Sequence, residues 1–142
     1  MNICAIVFNF FLVMVLLLSA SVAWAGDVLE AQCSCGYFKT GLFAFAGRSN
    51  YRDVCMAPAL CKATGEVVLC NILDDSKASP DCPLEHPAIY GGPDLPPLNP
   101  TRDIASWFLQ SRGIAVHITD GAYTCPRCGE VSLRFRKIGS WD

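Results

Sequence analysis

Nine cysteines in a chain of 142 residues carry most of the reactive potential of this sequence. The sharpest grouping is Cys125-Pro126-Arg127-Cys128-Gly129. Two thiols two positions apart, with a proline between them and a glycine after, form a metal knuckle. The proline stiffens the turn. The glycine accepts a positive φ, so that backbone N–H groups turn toward the sulfurs. One knuckle supplies only half of a tetrahedral Cys4 site. Cys33-Ser34-Cys35-Gly36 offers the other half, with a spacing one residue tighter. Cys33, Cys35, Cys125 and Cys128 are therefore the candidate metal ligands, and a shared ion would clasp the beginning of the mature chain to its end. Oxidation is the competing chemistry, joining Cys125 to Cys128, or Cys33 to Cys35 across a strained short loop.

Cys4 falls in an N-terminal apolar segment, which leaves eight cysteines beyond it. An even number in an exported chain points to disulfides. Cys55 and Cys70 flank the turn-forming stretch 62–65, where a cross-strand bridge is open to them. The two knuckles, Cys33-x-Cys35-Gly36-Tyr37 and Cys125-Pro126-x-Cys128-Gly129, resemble those of zinc-ribbon and rubredoxin-type proteins. Cys61-Lys62-Ala63-Thr64 and Cys82-Pro83-Leu84-Glu85 look like a second pair of knuckles, each with its last cysteine replaced. The chain as a whole looks like a small bacterial zinc-ribbon protein with one decayed knuckle pair. That resemblance implies a ribbon fold and a bound zinc, or iron by the rubredoxin likeness. It implies no reaction, because the activities of such proteins are mostly unassigned. It further implies that Cys61 and Cys82, the survivors of the decayed pair, face each other and form a disulfide. The alternative keeps a second zinc there on Cys61, Cys82, His86 and Glu85.

The enzyme reading is thiol–disulfide exchange, since Cys-x-x-Cys with an internal proline also serves that chemistry. Such motifs open a helix in a βαβ unit, whereas here the motif leads through Gly129 into an alternating strand. No nucleophile motif surrounds His86 or His117, and no glycine-rich phosphate loop is present, so no catalytic residue is assigned. Arg127, Arg134, Arg136 and Lys137 form a basic constellation. It is either a solvated face offsetting the negative charge of a Cys4 zinc centre or a docking surface for an acidic partner. Eleven Lys and Arg against thirteen Asp and Glu leave the chain nearly balanced, which argues against a nucleic-acid partner held by bulk charge. The expected role is that of an exported zinc-binding structural or protein-interaction domain with an unknown protein partner. The alternative is a thiol redox or rubredoxin-like electron-transfer protein.

The elements that must position these cysteines follow from the rest of the chain. Residues 1–25 read as an export signal: Ile3 to Leu18 is almost wholly apolar, and Ala23-Trp24-Ala25 fits a small-x-small cleavage site. An uncleaved membrane anchor is the alternative, because the run is nearly long enough to span a bilayer. Residues 26–142 form one zinc-ribbon-like domain, free of the membrane after cleavage. The expected fold is small, β-rich α+β, built of antiparallel hairpins. Strands are expected over 37–46, over 51–56 with Pro58 ending it, and over 66–73. Residues 74–100 hold seven of the nine prolines and read as an irregular strap pinned by Cys82. Ile104, Trp107 and Phe108 at i, i+3, i+4, with Asn99 as N-cap and Pro100 at the first turn, predict one helix over about 100–112. Ile114, Val116 and Ile118 then alternate as a strand, Asp120-Gly121 turns, and Val131, Leu133 and Phe135 alternate in the last strand, with Trp141 packed near it.

Overall fold

The computed structural model describes residues 25–142 apart from 48, 75, 77, 78, 111 and 112. The expected export signal, save Ala25, lies outside the described residues. The fold is all-β, and no α-helix occurs among the described residues. The elements are β1 (Gly26–Gln32), β2 (Phe38–Ala44), β3 (Met56–Cys61), β4 (Glu66–Asn71), β5 (Ala88–Ile89), β6 (Asp103–Leu109), β7 (Ile114–Thr119), β8 (Tyr123–Thr124) and β9 (Val131–Trp141). They make a four-stranded sheet in the order β2-β1-β9-β8, a three-stranded sheet β4-β3-β5 and a two-stranded ribbon β6-β7. One cluster of buried residues spans all three, from Leu29 and Leu42 through Leu60 and Val67 to Trp107 and Leu133.

The pairing that matters most for the site joins the two ends of the described chain. β1 runs antiparallel to β9, from Gly26 opposite Trp141 to Gln32 opposite Arg134. β1 also pairs β2, so it is a central strand with neighbours on both sides. Its composition, Asp-Val-Leu-Glu-Ala-Gln, contains good helix formers and no clean alternation, and the sequence gives no strand signal there. Tertiary pairing overrides the local preference. Trp141 fixes the far end: its ring Nε1 donates to the Ala44 carbonyl at 2.9 Å, and its ring meets Phe43 edge to face at 6.0 Å. The third side chain at that corner has to be glycine, since a Cβ on Gly26 would sit 2.3 Å from Trp141 Nε1.

The helix over 100–112 is the main correction. Residues 103–109 are strand β6, paired with β7 from Asp103 opposite Thr119 to Leu109 opposite Ile114. The apolar residues of this stretch satisfy both periods. Ile104, Trp107 and Phe108 fit a helical stripe, but Ala105 and Trp107 also alternate, and these two are the ones buried. Trp, Phe and Ile favour a pleated surface, and a complementary strand follows within hairpin distance. Asn99, expected as an N-cap, instead takes a positive φ of 51° in the connection before β6. The β-rich part of the expected α+β class stands, and its helix does not.

Two strand boundaries also shift. Residues 51–53 are turn, closed by the Asp53 and Val54 N–H groups on the Asn50 carbonyl at 3.0 Å each. The strand begins at Met56 and runs straight through Pro58. Pro58 is tolerated because its nitrogen faces β5, on the side where its own carbonyl accepts the Tyr90 N–H at 3.0 Å, so the ladder to β4 loses nothing.

The connection over 74–100 is tied down along its length. The Ser79 hydroxyl donates to the Leu69 carbonyl at 2.9 Å. Cys82 is bonded to Cys61. Ala88–Ile89 add a short strand to β3, and Leu98 bridges Ala122. Tyr90 is fully buried, stacking edge to face on Tyr123 and Phe135 at 5.6 and 5.1 Å. The disulfide is the one covalent tie in this region, and its sequence separation is 21 residues. Closing a loop of that length restricts the unfolded chain by roughly 3 kcal/mol. Replacing Cys61 and Cys82 together by alanine is therefore expected to lower the unfolding free energy by roughly that amount. Amide exchange should accelerate over 79–89 first. Unchanged stability in urea would show that the bridge does not hold this connection.

Candidate metal centre

The two knuckles are the turns of two hairpins. The first links β1 to β2, the second links β8 to β9. Because β1 and β9 pair with Gln32 opposite Arg134, both turns leave the same end of the same sheet and lie side by side. The turns are built alike. In the first, Cys33 N–H donates to the Tyr37 carbonyl at 2.9 Å and Gly36 N–H to the Cys33 carbonyl at 3.0 Å. In the second, Cys125 N–H donates to the Glu130 carbonyl at 2.8 Å and Gly129 N–H to the Cys125 carbonyl at 3.0 Å. Each bond of the second turn spans one residue more, which is the extra residue of Cys-x-x-Cys over Cys-x-Cys. Gly36 and Gly129 close the turns at φ 89° and 76°.

This arrangement brings the four sulfurs of Cys33, Cys35, Cys125 and Cys128 within 4.8 Å of one another. Cys33 lies 3.7 Å from Cys128 and Cys35 lies 3.7 Å from Cys125, both across the knuckles. Four sulfurs at about 2.3 Å from a central ion form a tetrahedron whose edge is about 3.8 Å. A disulfide needs about 2.05 Å. The spacing fits a shared ion and leaves all four as thiols. The donor set, four soft sulfurs, suits zinc or iron.

Backbone N–H groups point at the sulfurs as the knuckle glycines led one to expect: that of Cys35 at Cys33, that of Tyr37 at Cys35, and those of Cys128 and Arg127 at Cys125. The electrostatics divide the four. Burial alone would push Cys33 up, but the Ser132 hydroxyl at 3.1 Å, the Cys35 N–H and the neighbouring thiols outweigh it and bring its pKa down to about 6. Burial pushes Cys125 up to about 12 despite its two N–H donors, with the Cys33 and Cys128 sulfurs adding to the rise. The Tyr37 N–H draws Cys35 down, but the Cys33 sulfur, partial burial and Cys128 together leave it raised. Cys33 is thus a ready thiolate, while Cys35 and Cys125 are held toward the thiol until a cation shares their charge. Metal loading therefore releases protons.

Around the sulfurs, the supporting contacts tie the knuckles to the rest of the fold. The Tyr37 hydroxyl donates to Glu66 Oε2 at 3.0 Å and accepts the buried Val67 N–H at 2.8 Å, fastening the first turn to β4. The guanidinium of Arg127 in the second turn lies 5.4 Å from the Tyr37 ring centre, so the two turns touch through a cation–π contact. The Tyr90 hydroxyl donates to the Thr124 carbonyl at 2.8 Å, just before Cys125. Ser132 and the Tyr37–Glu66 link were not assigned from sequence. Ser132 is one position from a buried leucine in an alternating strand and carries no motif of its own.

The other sequence-derived site residues separate. Cys61 and Cys82 are bonded to each other. Although Glu85 lies beside them, no pair of free thiolates remains there for a second zinc. Cys55 and Cys70 are buried thiols rather than a bridge. The register explains it: Cys70 faces Ala57, and the Cys55 carbonyl accepts the Ile72 N–H. The two cysteines are therefore diagonal neighbours, whose backbones sit about 7–8 Å apart, beyond ordinary disulfide reach. Burial, with a smaller contribution from Cys70, pushes Cys55 up to about 12. His117 pairs with Asp103 on the exposed side of β6–β7, at 2.8 Å from Nδ1 to Oδ2.

Cys128 is solvent-exposed. Exchanging its sulfur for oxygen should cost within about 0.5 kcal/mol in a metal-free protein, as at other surface sites. With an ion bound, the same change removes one of four ligands, and binding free energy is folding free energy. Cys128→Ser is expected to destabilise the metal-loaded protein well beyond the surface value and to speed amide exchange at both 31–38 and 123–133. Loss of protection confined to 123–133 would show that nothing links the two turns. Comparison with protein-family models, with curated proteins and with solved structures finds no match to this chain.

Proposed function

We propose that this chain is an exported, zinc-binding structural or protein-interaction domain of zinc-ribbon type without catalytic activity. The observation that carries the proposal is the convergence of four cysteine sulfurs, from turns about ninety positions apart in sequence, to 3.7 Å across the knuckles. Such crowding is costly whenever two of the sulfurs are charged at once without a cation between them. Two thiolates at 3.7 Å repel by about 4 kcal/mol at an effective dielectric constant of about 20. The role of the ion is that of a closed structural site, with four protein ligands and no open position for a substrate. Zinc is favoured over iron because a closed site that only holds the fold calls for no redox chemistry. Export is supported by the apolar segment ahead of Ala25 and by the buried Cys61–Cys82 bridge, which persists in oxidising compartments. A membrane anchor is the alternative for that segment, and the partner is a protein of unknown identity.

The second reading is a thiol redox or electron-transfer protein. What favours it is the exposure of Cys35 and Cys128, one from each knuckle. What weighs against it is the setting of Cys125-Pro126-Arg127-Cys128: no helix follows to depress a thiol pKa, and Cys125 is raised to about 12 by burial. Protein recovered from the exported fraction decides between the two readings. Elemental analysis is expected to give one zinc per chain, thiol counting should find six thiols after metal removal, and intact mass should place the N-terminus at Gly26. Zinc near zero with Cys125 bonded to Cys128 would replace the structural reading by the redox one. A chain retained with Met1 in the membrane fraction would replace the exported domain by an anchored one.

A further inference from the structure

The basic constellation read from the sequence comes apart in the fold. Arg127 lies over Tyr37. Arg136 gives its Nη2 and Nε to Glu30 Oε1 at 2.6 and 2.8 Å. Lys137 pairs with Asp27. Arg134, like Arg127, has no carboxylate partner among the described residues, and its Nη1 donates to the main-chain carbonyl of Asp120 at 2.7 Å. Arg102 joins it from the other side, its Nε 3.8 Å from Asp120 Oδ2 and its side chain 78% exposed. The Asp120 carboxylate is committed elsewhere. It accepts the Thr101 hydroxyl, the Thr101 N–H at 2.8 Å and the Arg102 N–H at 3.1 Å, and the Thr101 hydroxyl foremost among these holds its pKa at about 2. Two guanidinium groups thus meet at one residue with a single, already saturated carboxylate between them.

Both line a groove of about 600 Å³ between the outer face of β9 and the start of β6. That volume is in the range of small-molecule sites. The other acids of the groove are engaged, Glu30 by Arg136 and Asp103 by His117. Arg102 and Arg134 against Asp120 leave one net positive charge, in a chain whose overall charge is −2. Ile104 supplies an apolar part to the wall.

We propose that this groove binds a small organic oxyanion, its carboxylate, phosphate or sulfate group held between Arg134 and Arg102 and its apolar body against Ile104. A guanidinium presents paired donors in a fixed plane that matches two oxygens of such a group, and among the described residues Arg134 spends only one of its donors. The site owes nothing to the metal centre: β9 carries the cysteine turn at its start and the groove on its outer face.

Phenyl phosphate is the probe, titrated into the mature metal-loaded chain and followed by amide and arginine Nε–H signals in two-dimensional NMR, with benzoate and inorganic sulfate run alongside to separate the oxyanion types. Saturable shifts at Arg102, Arg134, Asp120 and Ile104 are expected. Arg134→Gln should weaken binding about tenfold or more, the scale of one charge-assisted hydrogen bond, and Lys62→Gln on the β3–β4 turn should leave it unchanged. Zinc content and spectral dispersion of Arg134→Gln report its folding, and Arg102→Gln repeats the test should that variant misfold. Absence of saturable shifts up to roughly 10 mM, which corresponds to less than about 3 kcal/mol of binding, overturns the proposal. So does equal weakening by Arg134→Gln and Lys62→Gln, which would mean general ionic attraction.

Discussion

The antiparallel pairing of β1 with β9 is the constraint from which the rest of this structure follows. It brings residues 26–32 against 134–141, and with them two hairpin turns that neither hairpin could place alone. The crowding of four sulfurs within 4.8 Å is a direct result. As bare thiolates they would force the turns apart. As thiols they would leave two buried cysteines, Cys33 and Cys125, with opposite tendencies: one lowered to about 6 and one raised to about 12. A dication would resolve both problems at once, since it would let every sulfur carry charge and turn mutual repulsion into shared attraction. A bound ion and the β1–β9 ladder would therefore support each other.

The fold is held at two further places by different chemistry. The Cys61–Cys82 bond fastens the proline-rich connection onto the β3–β4 hairpin. The aromatic group of Tyr90, Tyr123 and Phe135, with ring centres 5.1 to 5.6 Å apart, fastens the same connection onto β8 and β9. Tyr90 joins these ties to the metal centre, since its hydroxyl ends on the Thr124 carbonyl beside Cys125. A chain this short buries a limited core. Covalent, aromatic and sulfur-based ties share what a larger apolar interior would otherwise carry.

The two cysteine turns were legible in the sequence because a knuckle is a local object. Spacing, proline and glycine determine the turn, and Gly36 and Gly129 adopt the positive φ those turns need. That Cys33 and Cys125 belong to one site was also legible, from the need for four donors. What the sequence concealed is non-local. β1 reads as helix-forming in composition, and only its two neighbours make it a strand. β6 carries a pattern that serves both periods, and the choice between them falls to the partner strand at Ile114–Thr119. The Cys55–Cys70 bridge failed by a register offset of two residues, which depends on where the strand begins at Met56. The partners of the basic cluster were hidden for the same reason: the acids that pair with Arg136 and Lys137, Glu30 and Asp27, lie on β1, which carries no strand signal of its own.

The most direct test of this account is the local structure around the metal in the purified protein, by X-ray absorption at the metal edge. The account predicts a single shell of four sulfurs at about 2.3 Å from zinc with no oxygen or nitrogen ligand. A shell of two sulfurs completed by lighter atoms would mean that one knuckle binds alone, and would contradict the claim that the ion joins the two ends of the chain.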